Sequence, residues 1–154
     1  MKYFLKVFCQ NNEILSPESI IDFIEDGFFF DEKPEIKLNK TDDLNWTMLI
    51  VYDKQKDPVI LSKSTDDNAS KKDIEEIKFV LNISKASKKK DLISERVNTI
   101  SQVYNLQINQ DQITDDCWEM LDSVEAMLMK SCDGMLFTSD NEFFDDRLKK
   151  IYKL

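Results

Sequence analysis

Residues 2–10, "KYFLKVFCQ", place Leu5, Val7 and Cys9 on one face of an extended chain and Phe4, Lys6 and Phe8 on the other. A run apolar on most of both sides reads as a central β-strand. The period then changes. Ser16-Pro17-Glu18 supplies an N-cap, a proline for the first helical position and an acid for the first turn. This predicts a helix through about Asp26 with Ile20, Ile21, Phe23 and Ile24 inward. Gly27 is its expected stop, in the left-handed conformation that closes many helices, and Phe28 to Phe30 starts the next extended segment.

Further along, Trp46 to Tyr52 and Val59 to Leu61 read as two strands joined by the turn "DKQKDP". Ser70 with Asp73 has capping-box spacing ahead of a helix carrying Ile74, Ile77 and Leu81. The stretch "SKASKKK" at 84–90 reads as a solvated Lys/Ser-rich linker, since it lacks the interleaved aromatics of a nucleic-acid contact. Residues 91–100 read as helical and Val103 to Asn109 as a strand. Thr114 caps a long helix that runs to Gly134, and Met135 to Thr138 with Leu148 to Leu154 make a closing pair of strands.

These elements predict one α+β domain over 1–154: a two-layer sandwich, with helices packed on a mixed, mostly antiparallel sheet of about six strands. The chain's only two glycines stand in matching phrases, "EDGFFF" at 25–30 and "CDGMLF" at 132–137. Each follows a strand and a helix. The echo points to two β-α-β-β units, with halves 1–83 and 91–154 joined by the linker 84–90; convergence of a short turn pattern is the competing explanation.

Composition narrows the chemistry. A hydrophobic fraction of 42% with ten Phe fits a packed globule. With no His, the commonest general base near neutral pH is missing, and two isolated glycines rule out both a Walker loop and a GxGxxG turn. Cys9, Cys117 and Cys132 are odd in number and form no CxxC, which predicts reduced thiols in a cytoplasmic protein, Cys117 and Cys132 being core residues. The amino terminus imitates a lipoprotein signal, but Lys6 interrupts its apolar run and bulky Phe8 stands where a small residue should precede cleavage. No segment approaches the length of a membrane span. The acids of "SDNEFFDDR" lack the Gly and distal Glu of an EF-hand loop and read as a solvated hairpin over Phe143 and Phe144. No cofactor, metal, nucleic acid or membrane is therefore expected, and the chain is read as a monomer or a homodimer paired through its terminal strand.

Charge is distributed unevenly. Residues 111–146 hold eleven acids and one base, a formal −10 within a chain of net −9, so the remainder is close to neutral. On a helical wheel the long helix turns Cys117, Met120, Leu121, Val124, Met127, Leu128 and Cys132 to the core. Trp118 and Met129 lie on a second edge, near Asp115, Glu119, Asp122 and Glu125. These six are the candidates for a partner site, an aromatic anchor among carboxylates that steer a basic protein; burial of that edge between two neighbours is the structural alternative.

Three functional readings follow. The first is a non-catalytic binding or regulatory protein, inhibitor- or immunity-like, whose acidic helix engages a basic partner. The second is a small-ligand sensor with a cavity between its halves lined by Tyr3, Trp46, Tyr52 and Tyr104. The third and weakest is an enzyme working through carboxylates or a thiol.

Overall fold

The computed structural model describes residues 1–154. Eight strands form one sheet: β1 (Lys2–Cys9), β2 (Glu35–Asp42), β3 (Asn45–Val51), β4 (Val59–Lys63), β5 (Gln102–Asn109), β6 (Gly134–Thr138), β7 (Glu142–Phe144) and β8 (Lys150–Lys153). Their order across the sheet is β2-β3-β4-β5-β1-β6-β7-β8. Every adjacent pair is antiparallel. The helices are α1 (Pro17–Asp26), α2 (Asn68–Ile83), α3 (Lys88–Asn98) and α4 (Asp115–Cys132). None is long and apolar enough to cross a membrane.

The α+β class is as expected, but the sheet has eight strands in place of about six and is antiparallel throughout rather than mixed. Two were hidden from the sequence. β2 alternates Ile36 and Leu38 with exposed polar residues, a weak signal at a sheet edge. β7 is only three residues long; it separates β6 from β8, so the closing pair of strands is a trio.

Strand β1 is central because β5-α4-β6 crosses over it: β5 and β6 run parallel to each other with β1 between them. The long helix thus lies above β1 and β6. Its Cys117, Met120, Leu121, Val124, Leu128 and Cys132 join Leu5, Val7, Cys9, Met48, Leu106 and α1's Ile20 and Ile24 in a main core of 22 buried residues. The opposite sheet face carries a smaller core. There Phe8, Met135 and Phe143 receive Ile77 and Leu81 of α2 and Ile93 and Val97 of α3.

The interleaving bears on the expected duplication. Because β1 sits between β5 and β6, segments 1–83 and 91–154 share one continuous sheet. After α1 the chain goes to the edge and works inward through β2, β3 and β4; after α4 it starts beside β1 and works outward through β6, β7 and β8. The two arms are therefore traversed in opposite directions and do not repeat one topology.

Both glycines are used for close approach. Gly27 has φ −80°, and the left-handed residues are its neighbour Phe28 (φ 50°) and, before Gly134, Asp133 (φ 49°). A Cβ at Gly27 would overlap the ring of Phe29, which folds back to 6.3 Å from Phe23. One at Gly134 would stand 3.0 Å from both Cys132 Sγ and Val7 Cγ1 and 3.2 Å from the Phe8 carbonyl oxygen.

Three further expectations are corrected. Helix α2 begins earlier than Ser70: Asp67 is its cap, accepting the Ser70 N–H at 2.9 Å, because Ser70 is drawn inward to Lys6 and Asn105. Lys88–Lys90 belong to the first turn of α3, capped by Ser87, so the linker shrinks to 84–87. Finally, Cys9 and Cys132 form a disulfide. The crossover brings the ends of β1 and α4 together with Cα atoms 5.1 Å apart, inside the range a bridge requires, leaving Cys117 as the one free, buried thiol. The cysteine pattern therefore carries no argument for a reducing compartment.

Candidate functional site: an acidic cleft at one end of the sheet

The six residues of the expected α4 site are split by burial. Asp115, Glu119 and Asp122 are exposed and Trp118 is half-buried, but Met129 is 1% exposed and Glu125 only 2%. The flank of α4 away from α1 packs down as a second core edge. Glu125 is carried into it, and its Oε1 is the one buried side-chain oxygen or nitrogen without a hydrogen-bond partner. Burial, reinforced by the nearby Asp122 charge, pushes its carboxyl up to about 8. This stripe offers no exposed aromatic anchor flanked by Met.

The four aromatic candidates also separate. Tyr3, Trp46 and Tyr104 are core residues, with the Trp46 and Tyr104 rings 6.2 Å apart, and they fill the space a cavity between halves would need. Their polar atoms are engaged: Tyr3 donates to Asp140 Oδ2 at 2.8 Å and Trp46 Nε1 to the Asp43 carbonyl at 3.1 Å. Tyr52 lines a surface cavity.

That cavity, of about 520 Å³, opens where β2 begins, β3 ends and α4 begins. Its floor is an aromatic pair, Phe30 and Tyr52, stacked with centroids 6.0 Å apart. Around it stand five carboxylates, Asp31, Glu32, Glu35, Asp53 and Asp116, against two ammonium groups, Lys33 and Lys54. Lys33 is directed to Glu25 at 2.8 Å. Tyr52 donates to the Gln112 carbonyl at 3.4 Å; burial first, then surrounding charges including Asp53 and Asp57, raises its hydroxyl to about 12, so the phenol stays neutral.

Local sequence explains the arrangement. Thr114 caps α4 through the Cys117 N–H at 3.3 Å, which sets Asp115 and Asp116 in the first turn, where the helix dipole favours acids. Gly27 lets Phe29 fold inward, and the chain emerges with Phe28 pointing out. Phe28 is 87% exposed and holds a left-handed backbone, an unusual combination for a bulky residue. The acidic charge of α4 was visible in the sequence. The contribution of 30–35 and 52–54 was not, since those segments meet α4 only through the sheet.

Other clusters have structural roles. Lys6 Nζ donates to Ser70 Oγ at 2.8 Å and Asn105 Oδ1 at 2.5 Å, and it stands 3.6 Å from Asp73. Asn105 Nδ2 donates to Asp67 Oδ2 at 2.6 Å. The Ser70 hydroxyl in turn donates to Asn105 Oδ1 at 3.1 Å. The network pins α2 to the sheet. No three Asp, Glu or Cys side chains converge closely enough to hold a metal ion, the acids of 139–147 and of the cleft included.

No protein-family model, curated protein or solved structure matches this chain.

Proposed function

We propose that the chain is a non-catalytic binding protein that takes a basic segment of a partner protein into the cleft between 30–35, 52–54 and the start of α4. The observation that carries this reading is the ring of five carboxylates around the Phe30–Tyr52 stack. A guanidinium or ammonium group entering there meets negative charge on its flanks and an aromatic face below, two attractions that reinforce each other. Asp115 and Glu119, exposed on the same helix, extend the negative field outward and would speed encounter with a basic surface. Phe28 supplies the exposed apolar contact that Trp118 does not.

The test is an amide NMR titration with an octapeptide of alternating arginine and leucine. The reading requires the largest shifts at 30–35, 52–54 and 114–118. Shifts concentrated elsewhere, or none below millimolar peptide, would refute it.

A further inference from the structure

At the opposite end of the strands from the acidic cleft, Lys63 closes β4 with its side chain on the main-core face beside Tyr104, 4% exposed. No carboxylate lies within ion-pair distance of it. Its Nζ donates to Gln102 Oε1 and, at 3.4 Å, to the Tyr104 hydroxyl, and it sits 4.6 Å from the centre of the Tyr104 ring. All these partners are neutral. The Asp43 carboxylate acts on Lys63 only from beyond ion-pair distance and is itself paired with Lys40 at 3.0 Å, and a buried ammonium so weakly compensated is costly.

The same lysine lines a cavity of about 450 Å³, within the size range of small-molecule sites. Its walls divide by chemistry. Leu44, Ile74, Ile100 and Val103 supply apolar surface. The Ser64 hydroxyl, which accepts the Asp66 N–H at 3.1 Å and keeps its own hydrogen to donate, also lines the space. Two other charges line the space, Asp67 and Lys71. Asp67 is committed to Ser70 N–H and Asn105 Nδ2. With Lys71 offsetting Asp67, the lining holds one uncompensated positive charge, at Lys63.

We propose that this cavity is a binding site for a small monocarboxylate with an apolar body, whose carboxylate pairs with Lys63 and accepts from Ser64 while its carbon chain lies against Leu44, Ile74, Ile100 and Val103. One charge is enough to complete Lys63. A dianion such as phosphate would be repelled by Asp67 and would find no arginine fork. Burial holds the Lys63 ammonium below the ordinary lysine range, and a bound carboxylate reverses that shift. The site is independent of the acidic cleft and stands or falls without it.

The test uses hexanoate as probe and hexan-1-ol as its uncharged counterpart, titrated into the whole protein by amide NMR and calorimetry. Saturable hexanoate binding is expected, with shifts centred on Lys63, Ser64 and Gln102 and affinity above that for hexanol by about tenfold or more. Lys63→Met should abolish the preference for the anion while melting no lower than the wild type, because it removes an unpaired buried charge. Equal binding of alcohol and acid to the wild type, absence of saturation, or undiminished hexanoate binding by Lys63→Met would each overturn the proposal. The comparison of acid and alcohol needs no variant and holds even if Lys63→Met folds poorly.

Discussion

The rings of Phe30 and Tyr52, brought from a loop after α1 and the end of β3, stack with centroids 6.0 Å apart under a ring of carboxylates. In the proposed function the stack is both support and recognition surface. Tyr52→Phe keeps the ring and loses only a long hydrogen bond to Gln112, so stability should fall by less than about 1 kcal/mol and basic-peptide binding should persist. Tyr52→Ala removes the floor and should cost about 2 kcal/mol for a half-buried ring, together with most of the binding. Urea unfolding and peptide titration on both variants check this.

Glu125 makes stability depend on pH. Its folded carboxyl titrates at about 8 against an ordinary glutamate in the unfolded chain, so the folded state holds a proton that the unfolded state has lost. The protonated carboxyl is tolerated fully in acid, and that stability is lost as pH rises through the folded value. Glu125→Gln, which cannot ionise, should match the wild type near pH 4 and exceed it by a few kcal/mol near pH 9. Urea midpoints at the two pH values measure the difference; an identical pH dependence would show that Glu125 is not buried as described.

The Cys9–Cys132 bridge closes a loop of 123 residues, linking β1 to the far end of α4. Loop-closure entropy for a span of this length predicts that Cys9→Ser lowers stability by about 3–5 kcal/mol under oxidising conditions. The wild type in reductant should approach the variant. Cys117, whose thiol burial pushes up to about 12, should remain unreactive toward alkylating reagents until the protein unfolds.

The two glycines should tolerate alanine unequally. At Gly27 the added methyl meets the far end of the Phe29 ring, which can swing aside at about 1 kcal/mol. At Gly134 it meets a disulfide sulfur, a fully buried Val7 and the Phe8 carbonyl oxygen, none free to move, so Gly134→Ala should cost about 2–3 kcal/mol. Thermal melts of the two variants rank them directly.

Much of the fold was legible because its signals are local. The alternation of 2–10, the Ser16-Pro17 cap, Thr114 ahead of a long apolar wheel and the strands read at 46–52, 59–61 and 103–109 each declare themselves within a short window, and each lies within two residues of the observed element. What escaped depends on contacts distant in sequence. β7 exists because β6 offers it an edge, and Ser70 lost its expected capping role because Lys6, 64 residues away, draws its hydroxyl into the sheet. The disulfide needs the β5-α4-β6 crossover, which no cysteine spacing encodes. The site follows the same division. The acidic charge of α4 could be read from the chain, and Asp116 with Tyr52 fell within the segments singled out. The wheel left open whether that edge would be buried, as Met129 and Glu125 are, and it says nothing of Phe28, which stands outside the helix and stays exposed.

Recognition of positive charge by the cleft is measured by affinity for the arginine–leucine peptide at low and high salt, on the wild type and on Asp53→Lys/Asp116→Lys. Wild-type binding should weaken about tenfold or more on adding salt, and the double variant should bind more weakly by a similar factor at low salt. Equal affinity of the two proteins, or binding indifferent to salt, would contradict that recognition.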